Sequence, residues 1–207
     1  MNKLAIFGAN GHGKVVAELA ELIGFDVFFY DDCFPLRKTV EHWPIYGNLT
    51  DLLDLKTNCF SSIVAIGNNS VREKVIKKLE YRGFNIPVLI HPSVVISKHV
   101  CIGAGSVLLP GVVVNAFASI GKGCILNTSV VVEHDCDVGD YTHLAPNACI
   151  AGGVKIGSNS FLGIGSKVIQ MRIIGSHSII GAGSTVISDL PDNVTAIGTP
   201  AAILLKG

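Results

Sequence analysis

Aliphatic residues recur at every sixth position through the second half of the chain. Starting at Ile90, seventeen consecutive sixth positions are all Ile, Leu or Val. A six-residue period fits neither the 3.6-residue turn of an α-helix nor hairpins with unevenly spaced turns. The series is Ile90, Ile96, Ile102, Leu108, Val114, Ile120, Leu126, Val132, Val138, Leu144, Ile150, Ile156, Leu162, Val168, Ile174, Ile180 and Val186.

This period predicts a solenoid of short strands. Each hexad supplies one strand and one tight turn, and three hexads close a triangular coil of about 18 residues. The aliphatic side chains stack inside, and backbone hydrogen bonds link successive coils. We predict an all-β left-handed parallel β-helix with a C-terminal tail over residues 90–207. Arg172 occupies a position that is otherwise small, which predicts a bulge near 168–173 or a point where a ligand passes; an imperfect coil is the alternative.

Residues 1–89 follow a different pattern, in which apolar strands alternate with helical segments. Such alternation is typical of a small parallel α/β unit, so we predict a Rossmann-like domain here. Gly24 and Gly83 are expected to end its two main helices. The predicted strands cover 3–7, 26–30, 62–66 and 86–90, and the predicted helices cover 15–24 and the segment from Ser70, as N-cap, to Arg82.

Composition narrows the class of protein. Hydrophobic residues make up 49% of the chain and charged residues 15%, with 16 Lys+Arg against 16 Asp+Glu. The absence of a basic excess argues against binding to nucleic acid or to an anionic membrane. No signal-peptide pattern or long apolar stretch is present, so a cytoplasmic protein is expected. The six cysteines, which include Cys59, are scattered and are expected to be reduced.

A glycine-rich turn lies between the first predicted strand and the first predicted helix. Gly8, Gly11 and Gly13 would let the backbone approach an anion at the positive end of the helix. Their spacing differs from the G-x-G-x-x-G of dinucleotide-binding proteins. Asp31 and Asp32 end the second strand, where a ribose or a base would be bound. The alternatives are a tight connection without a ligand and an acidic pair in an ordinary loop.

Several motifs together resemble those of a known family. These are GANGHGK at 8–14, IGNNSVR at 66–72, IHP at 90–92 and HDC at 134–136. They are similar to motifs of the sialic acid O-acetyltransferase family, which includes the UDP-4-amino-sugar N-acetyltransferases of the bacillosamine pathway. The hexads likewise resemble those of the bacterial hexapeptide transferases. The resemblance implies acetyl-CoA as co-substrate, no metal, and a homotrimer with active sites between adjacent β-helices.

The resemblance also implies how the first domain would bind a UDP-sugar. Asp31 and Asp32 would contact the uridine, with Asn68 and Arg72 beside them. The residues expected around the phosphates are Gly8, Asn10, Gly11, His12 and Gly13.

His134 is the best candidate for a catalytic base. Acyl transfer from a thioester needs a group that takes a proton from the attacking amine or hydroxyl, and His is suited to this near neutral pH. Asp135 would fix its tautomer. The alternative is an exposed histidine without a role.

The resemblance implies that Asn127 and His143 contact the acetyl or pantetheine end of acetyl-CoA, although both side chains have structural alternatives. Residue 152 is expected to stack one coil above residue 134. Gly152 and Gly153 would then leave room for the thiol arm, and an amide near Gly152 would stabilise the oxyanion.

The chemistry expected first is N-acetylation of the 4-amino group of a UDP-4-amino-4,6-dideoxy sugar. O-acetylation of a sialic acid or another sugar hydroxyl uses the same base and stays open. Three other classes account for less of the sequence. A zinc lyase needs three converging His ligands. A nicotinamide oxidoreductase would leave the hexads unexplained, and a structural scaffold would leave HDC and the glycine-rich turn without a role.

Overall fold

The computed structural model describes residues 2–55 and 60–204. Cys59 lies outside the described residues. The chain divides into two compact units, Met1–Leu89 and Ile90–Gly207. Within the described ranges, no helix is both long enough and apolar enough to cross a bilayer.

The first unit is built on a three-stranded parallel sheet with strand order β2-β1-β5. Apolar residues of the sheet and of the two longer helices form its core; Leu4, Ile6, Phe29 and Ile63 are fully buried. The elements are β1 (Asn2–Phe7), α1 (Gly11–Leu22), β2 (Phe25–Tyr30), β3 (Thr39–Val40), β4 (Trp43–Pro44), α2 (Leu49–Leu53), β5 (Ser61–Val64) and α3 (Asn69–Tyr81).

Several boundaries of this unit differ from the sequence prediction, and three of the differences concern the turn, the cap and the last strand. Helix α1 begins at Gly11 rather than at residue 15, so half of the glycine-rich turn is helical. The N-cap of α3 is Asn68 rather than Ser70, because the Asn68 side chain accepts a hydrogen bond from the Val71 amide at 3.0 Å. The strand expected over 86–90 is confined to Leu89–Ile90.

The second unit is a parallel β-helix whose two-residue strands each end on one of the seventeen predicted aliphatic residues. The register advances by one coil each time: Val113 pairs with Val131, and Val131 pairs with Cys149. The strands are β6 (Leu89–Ile90), β7 (Val95–Ile96), β8 (Cys101–Ile102), β9 (Val107–Leu108), β10 (Val113–Val114), β11 (Ser119–Ile120), β12 (Ile125–Leu126), β13 (Val131–Val132), β14 (Asp137–Val138), β15 (His143–Leu144), β16 (Cys149–Ile150), β17 (Lys155–Ile156), β18 (Phe161–Leu162), β19 (Lys167–Val168), β20 (Ile173–Ile174), β21 (Ile179–Ile180) and β22 (Thr185–Val186).

These strands form three faces, named here in the order in which the chain visits them. Face 1 holds β7, β10, β13, β16, β19 and β22, and face 2 holds β8, β11, β14, β17 and β20. Face 3 holds β6, β9, β12, β15, β18 and β21, followed by β23 (Thr195–Ile197) and the antiparallel β24 (Ala202–Ile203). In each strand from β9 to β22, the last residue is buried in the interior.

A polar column runs inside the turns between faces 2 and 3. Its side chains bond to carbonyls of the following coil: the Thr142 hydroxyl donates to the Gly157 carbonyl at 3.1 Å, and the Ser160 hydroxyl to the Gly175 carbonyl at 2.7 Å. Such bonds satisfy hydroxyls that would otherwise be costly to bury. The column comprises Ser106, Cys124, Thr142, Ser160 and Ser178.

The bulge predicted near residues 168–173 is not present. Strands β19 and β20 keep the regular register, and Lys155 pairs with Ile173. Arg172 is accommodated because its side chain is half-exposed and reaches Asp189, with Nη1 3.6 Å from Oδ1. The coil shortens only afterwards, where Ile179 pairs with Thr195, 16 residues later instead of 18.

Candidate functional site

The glycine-rich turn of the first unit brings backbone segments into close contact. Gly8 has a φ of +111°, and a Cβ there would lie 2.8 Å from the Ala65 carbonyl oxygen. Gly13 is buried in the first turn of α1, where a Cβ would clash with the Gly8 carbonyl and lie 3.2 Å from the Phe29 ring. Two of the three glycines are therefore required by the packing of the turn itself.

A cavity of about 220 Å³ opens beside this turn. Five of the residues predicted to bind the nucleotide line it, whereas Gly11, Gly13, Asn68 and Arg72 do not. The lining consists of Phe7, Gly8, Asn10, His12, Asp31, Asp32, Ala65, Ile66 and Gly67.

His12 contributes a polar atom whose hydrogen-bonding capacity is unused. Its Nε2 is buried and has no hydrogen-bond partner among the described residues. Burial, with a smaller effect from the Arg72 charge, lowers the pKa of His12 from 6.5 to about 4. His12 is thus neutral at physiological pH, with a ring nitrogen available to a ligand in the cavity.

Two aspartates follow β2, and they differ in how many backbone hydrogen bonds their carboxylates accept. Asp31 accepts hydrogen bonds from the Ala9 amide at 2.6 Å and the Cys33 amide at 2.9 Å. Burial alone would raise the pKa of Asp31, but hydrogen bonds from Cys33 and Ala9 lower it overall. Within the part of the chain that the structure describes, Asp32 accepts one hydrogen bond, from the Leu49 amide to Oδ1 at 3.1 Å. Asp31 therefore shapes the cavity wall, and Asp32 retains an oxygen for a ligand.

Arg72 supports the cavity without lining it. Its side chain is 1% exposed. The guanidinium donates to the Ile66 carbonyl at 2.9 Å, the Gly67 carbonyl at 3.1 Å and Asn69 Oδ1 at 2.8 Å. Because these partners form the loop after β5, Arg72 fixes the shape of that loop. Asn68 caps α3 and Arg72 holds the loop, so both support the cavity from outside its lining, and their place beside the nucleotide stays a prediction.

The second candidate site is the turn from face 1 to face 2 that follows β13. His134 Nδ1 lies 2.8 Å from Asp135 Oδ2, and both side chains are 63% exposed. A carboxylate at this distance favours the tautomer with the proton on Nδ1, which leaves Nε2 as a proton acceptor. The pair has the arrangement of a general base with an orienting carboxylate.

Gly152 lies directly above this pair, as predicted from the 18-residue coil. A Cβ on Gly152 would be 2.6 Å from both Cε1 and Nε2 of His134, so the ring itself occupies part of the expected opening. The Gly152 amide makes no hydrogen bond among the described residues, whereas Gly153 donates to the His134 carbonyl at 2.9 Å. A Cβ on Gly153 would collide with Met171 Sδ. Gly152, whose N–H has no acceptor among the described residues, thus lies beside the accepting edge of the imidazole.

Asn127 and His143 form a separate polar pair on face 3. Asn127 Nδ2 lies 3.3 Å from His143 Nε2, and Asn127 Oδ1 accepts the Thr128 amide at 2.9 Å. The Phe161 ring contacts His143 edge-on, with centroids 5.2 Å apart. The side chains of His143 and Phe161 follow one another along the outside of this face.

One β-helix cannot bring these two pairs together. His134 is in the turn between faces 1 and 2, whereas His143 is on face 3, the opposite side of the triangular coil. The strand that contains His143 thus lies two faces beyond the strand that precedes His134. A site that uses all of these residues needs two copies of the chain, one presenting its turn and the other presenting face 3.

One contact beside His134 was not predicted. Asn115 Nδ2 donates to Glu133 Oε2 at 2.8 Å. Asn115 lies one coil below Glu133, so the 18-residue spacing would have located it.

Among residues 2–55 and 60–204, no three His, Cys, Asp or Glu side chains are grouped so as to hold a metal ion.

Comparison with known proteins gives consistent matches. Residues 3–79 match the model of the PglD N-terminal domain. A UDP-N-acetylbacillosamine N-acetyltransferase from Bacillus subtilis is 40% identical over 115 residues, 53% of this chain and 52% of the relative. The chain therefore matches about half the length of that curated relative.

Solved structures match over the whole chain. PerB from Caulobacter crescentus, in complex with CoA and GDP-perosamine, is 41% identical with a TM-score of 0.93, covering 100% of this chain and 98% of that one. The acetyltransferase domain of PglB from Neisseria gonorrhoeae, in complex with acetyl coenzyme A, is 39% identical with a TM-score of 0.94, covering 99% and 100%.

Proposed function

Because this chain belongs to the family of bacterial sugar N-acetyltransferases that includes PerB and the acetyltransferase domain of PglB, we propose that it acetylates the 4-amino group of a UDP-4-amino-4,6-dideoxy sugar from acetyl-CoA. The observation that carries the proposal is the His134–Asp135 pair, whose Nε2 lies beside Gly152, a residue with no acceptor for its N–H among the described residues. The name of the Bacillus relative supports UDP as the nucleotide.

In this reaction the sugar amine attacks the thioester carbonyl directly. The C–N bond forms, His134 Nε2 takes a proton from the amine nitrogen, and Asp135 stabilises the resulting imidazolium. The C–S bond then breaks, the electron pair leaves with sulfur, and the CoA thiolate regains a proton from His134. No covalent enzyme intermediate is needed.

The Gly152 amide is suited to stabilise the oxyanion of the tetrahedral intermediate. It is a backbone N–H with no hydrogen bond among the described residues, and it adjoins the ring that receives the proton. Fixed donors of this kind act where charge develops and need no reorganisation. Gly153, whose own N–H is engaged, would shape the space for the thiol arm under Met171.

We further propose that the active form is a homotrimer with active sites between copies. The separation of His134 from Asn127 and His143 on opposite sides of the coil supports this arrangement. One copy would supply His134, Asp135, Gly152 and Gly153, and its neighbour would supply Asn127 and His143 to the acetyl-CoA.

The first unit would hold the nucleotide in the cavity beside the glycine-rich turn. Gly8, Asn10 and the amides at the start of α1, including that of Gly11, would hold the phosphates, because helix N-termini favour anions. His12 Nε2 would find its missing partner there. Asp32 would accept a hydrogen bond from ribose or base, with Asp31, Gly13, Asn68 and Arg72 supporting the walls.

The test measures CoA release from acetyl-CoA with UDP- and GDP-linked 4-amino-4,6-dideoxy sugars. We expect turnover with the UDP sugar and a loss of about 10²-fold or more in His134→Ala, the scale of a lost general base. His177→Ala is the matched control, since His177 is an exposed turn histidine between faces 2 and 3.

Two results would change the proposal. If only the GDP sugar is turned over, the proposed nucleotide changes from UDP to GDP. Release of CoA with sialic acid and with neither amino sugar would replace the amine with a hydroxyl acceptor.

A further inference from the structure

Glu133 has a defined place beside the proposed base. It directly follows β13 and precedes His134, and its side chain is half-buried. Its carboxylate is held by the Asn115 amide from the coil below, at 2.8 Å through Oε2. Glu133 is thus bonded to the coil that precedes His134, whereas Gly152 and Met171 belong to the coils that follow it.

The side chain of Glu133 lies over face 1. Burial, and next the Glu133 charge, raise the pKa of Cys149, which is the outward residue of β16 on that face, while Lys167 opposes them. Asp137, by contrast, is exposed on face 2. None of the ion pairs found in the described part of the chain includes Glu133. A half-buried carboxylate without a cation is costly unless something compensates its charge.

We propose that Glu133 makes the site selective for an amine over a hydroxyl acceptor, an inference that rests on the proposed function. An amine reaches the site partly as an ammonium ion, and its nitrogen gains positive charge as the C–N bond forms. A carboxylate beside His134 stabilises both species through a charge-assisted hydrogen bond. A hydroxyl carries no such charge, so it gains little from Glu133.

His134 and Glu133 have different roles in this proposal. His134 Nε2, beside Gly152, receives the proton, and Glu133 takes no part in the proton transfer. Glu133 is therefore a specificity-determining residue and not the base. Its bond to Asn115 fixes Oε2, and Oε1 has no hydrogen bond among the described residues, so that Oε1 is assigned to the amine.

Glu133→Gln is the decisive variant, because its amide oxygen can still accept from Asn115 while the charge is lost. Its effects are read from kcat/KM for CoA release with the nucleotide 4-amino sugar. Calorimetry adds the Kd of that sugar and of its 4-hydroxy counterpart. Asp137→Asn is the control, since it removes an exposed carboxylate three residues from the base.

We expect Glu133→Gln to lower kcat/KM for the amine roughly 10- to 100-fold, the range for one hydrogen bond to a charged group. The affinity for the 4-hydroxy sugar should stay at the wild-type value, and Glu133→Asp should restore part of the loss. Asp137→Asn should behave as wild type. A merely structural role would weaken the binding of both sugars equally.

Each outcome distinguishes this inference from the function on which it rests. If wild type turns over the amino sugar and Glu133→Gln keeps the wild-type preference for amine over hydroxyl, the inference is wrong and the function stands. If wild type turns over no nucleotide amino sugar, the function is wrong and the inference falls with it.

Discussion

At the scale of single residues, three side chains in the two candidate sites use only part of their hydrogen-bonding capacity among the described residues. His134 gives Nδ1 to Asp135 and keeps Nε2. Glu133 gives Oε2 to Asn115, and His12 keeps a buried Nε2. Buried polar atoms normally find partners in the fold, so the buried Nε2 of His12 is a sign of a ligand.

The lowered pKa of His12 predicts how stability depends on pH. In the unfolded chain His12 binds a proton below about pH 6.5, but in the folded chain only below about 4. Between these values the unfolded state binds more protons, so the free energy of unfolding falls as pH drops from 6.5 to 4 and levels off below it. We expect His12→Asn to flatten this part of the profile.

The measurement is urea unfolding of both proteins at several pH values between 4 and 7.5. His99→Asn is the control, because His99 is an exposed histidine stacked on Phe117. Parallel profiles for wild type and His12→Asn would show that another group causes the pH dependence.

At the scale of elements, the six-residue repeat predicted where the strands lie. The sequence of the turns did not predict which side chains make contacts there. All seventeen strands end on the predicted residue, because a two-residue strand has one inward position and that position must be apolar. Periodicity also placed Gly152 over His134. It did not show that Arg72 is buried under its own loop, since a sequence does not tell which polar side chain turns inward.

The cap of α3 gives a test at this scale. Asn68 accepts the Val71 amide, whereas Ser70, the cap expected from the sequence, is exposed within the helix. Asn68→Ala should therefore lower the free energy of unfolding by about 1 kcal/mol. Ser70→Ala should change it by less than about 0.5 kcal/mol, as exposed substitutions usually do.

Urea unfolding at neutral pH compares the two variants with wild type. The opposite ranking would return the cap to Ser70. A large rise in KM for the nucleotide sugar in Asn68→Ala, without loss of stability, would restore the direct ligand contact expected from the sequence.

At the scale of the whole molecule, the β-helix holds its two candidate polar pairs at different places, one in a turn and the other on a face. The turn after β13 holds the His134–Asp135 pair, face 3 holds the Asn127–His143 pair, and the cavity beside the glycine-rich turn lies in the first unit. Because a rigid coil holds His134 and His143 on opposite sides, no local movement within one chain joins them. Catalysis that needs both residues is then a property of the assembly.

Mixing two inactive variants tests this directly. If each site takes His134 from one copy and His143 from its neighbour, trimers formed from equal amounts of His134→Ala and His143→Ala contain some sites with both histidines. Random assembly restores roughly a quarter of the wild-type sites, because each of the two positions is intact in half of the copies. CoA release is measured after the mixture has been unfolded and refolded together, with each variant refolded alone as control.

Restored activity in the mixture would place the two histidines of one site on different chains, because neither variant alone contains an intact pair. If the refolded mixture forms mixed oligomers but remains as inactive as either variant, both histidines serve the same chain's site or His143 acts elsewhere. The separation of His134 from His143 would then result from how face 3 is packed. It would not indicate an active site between copies.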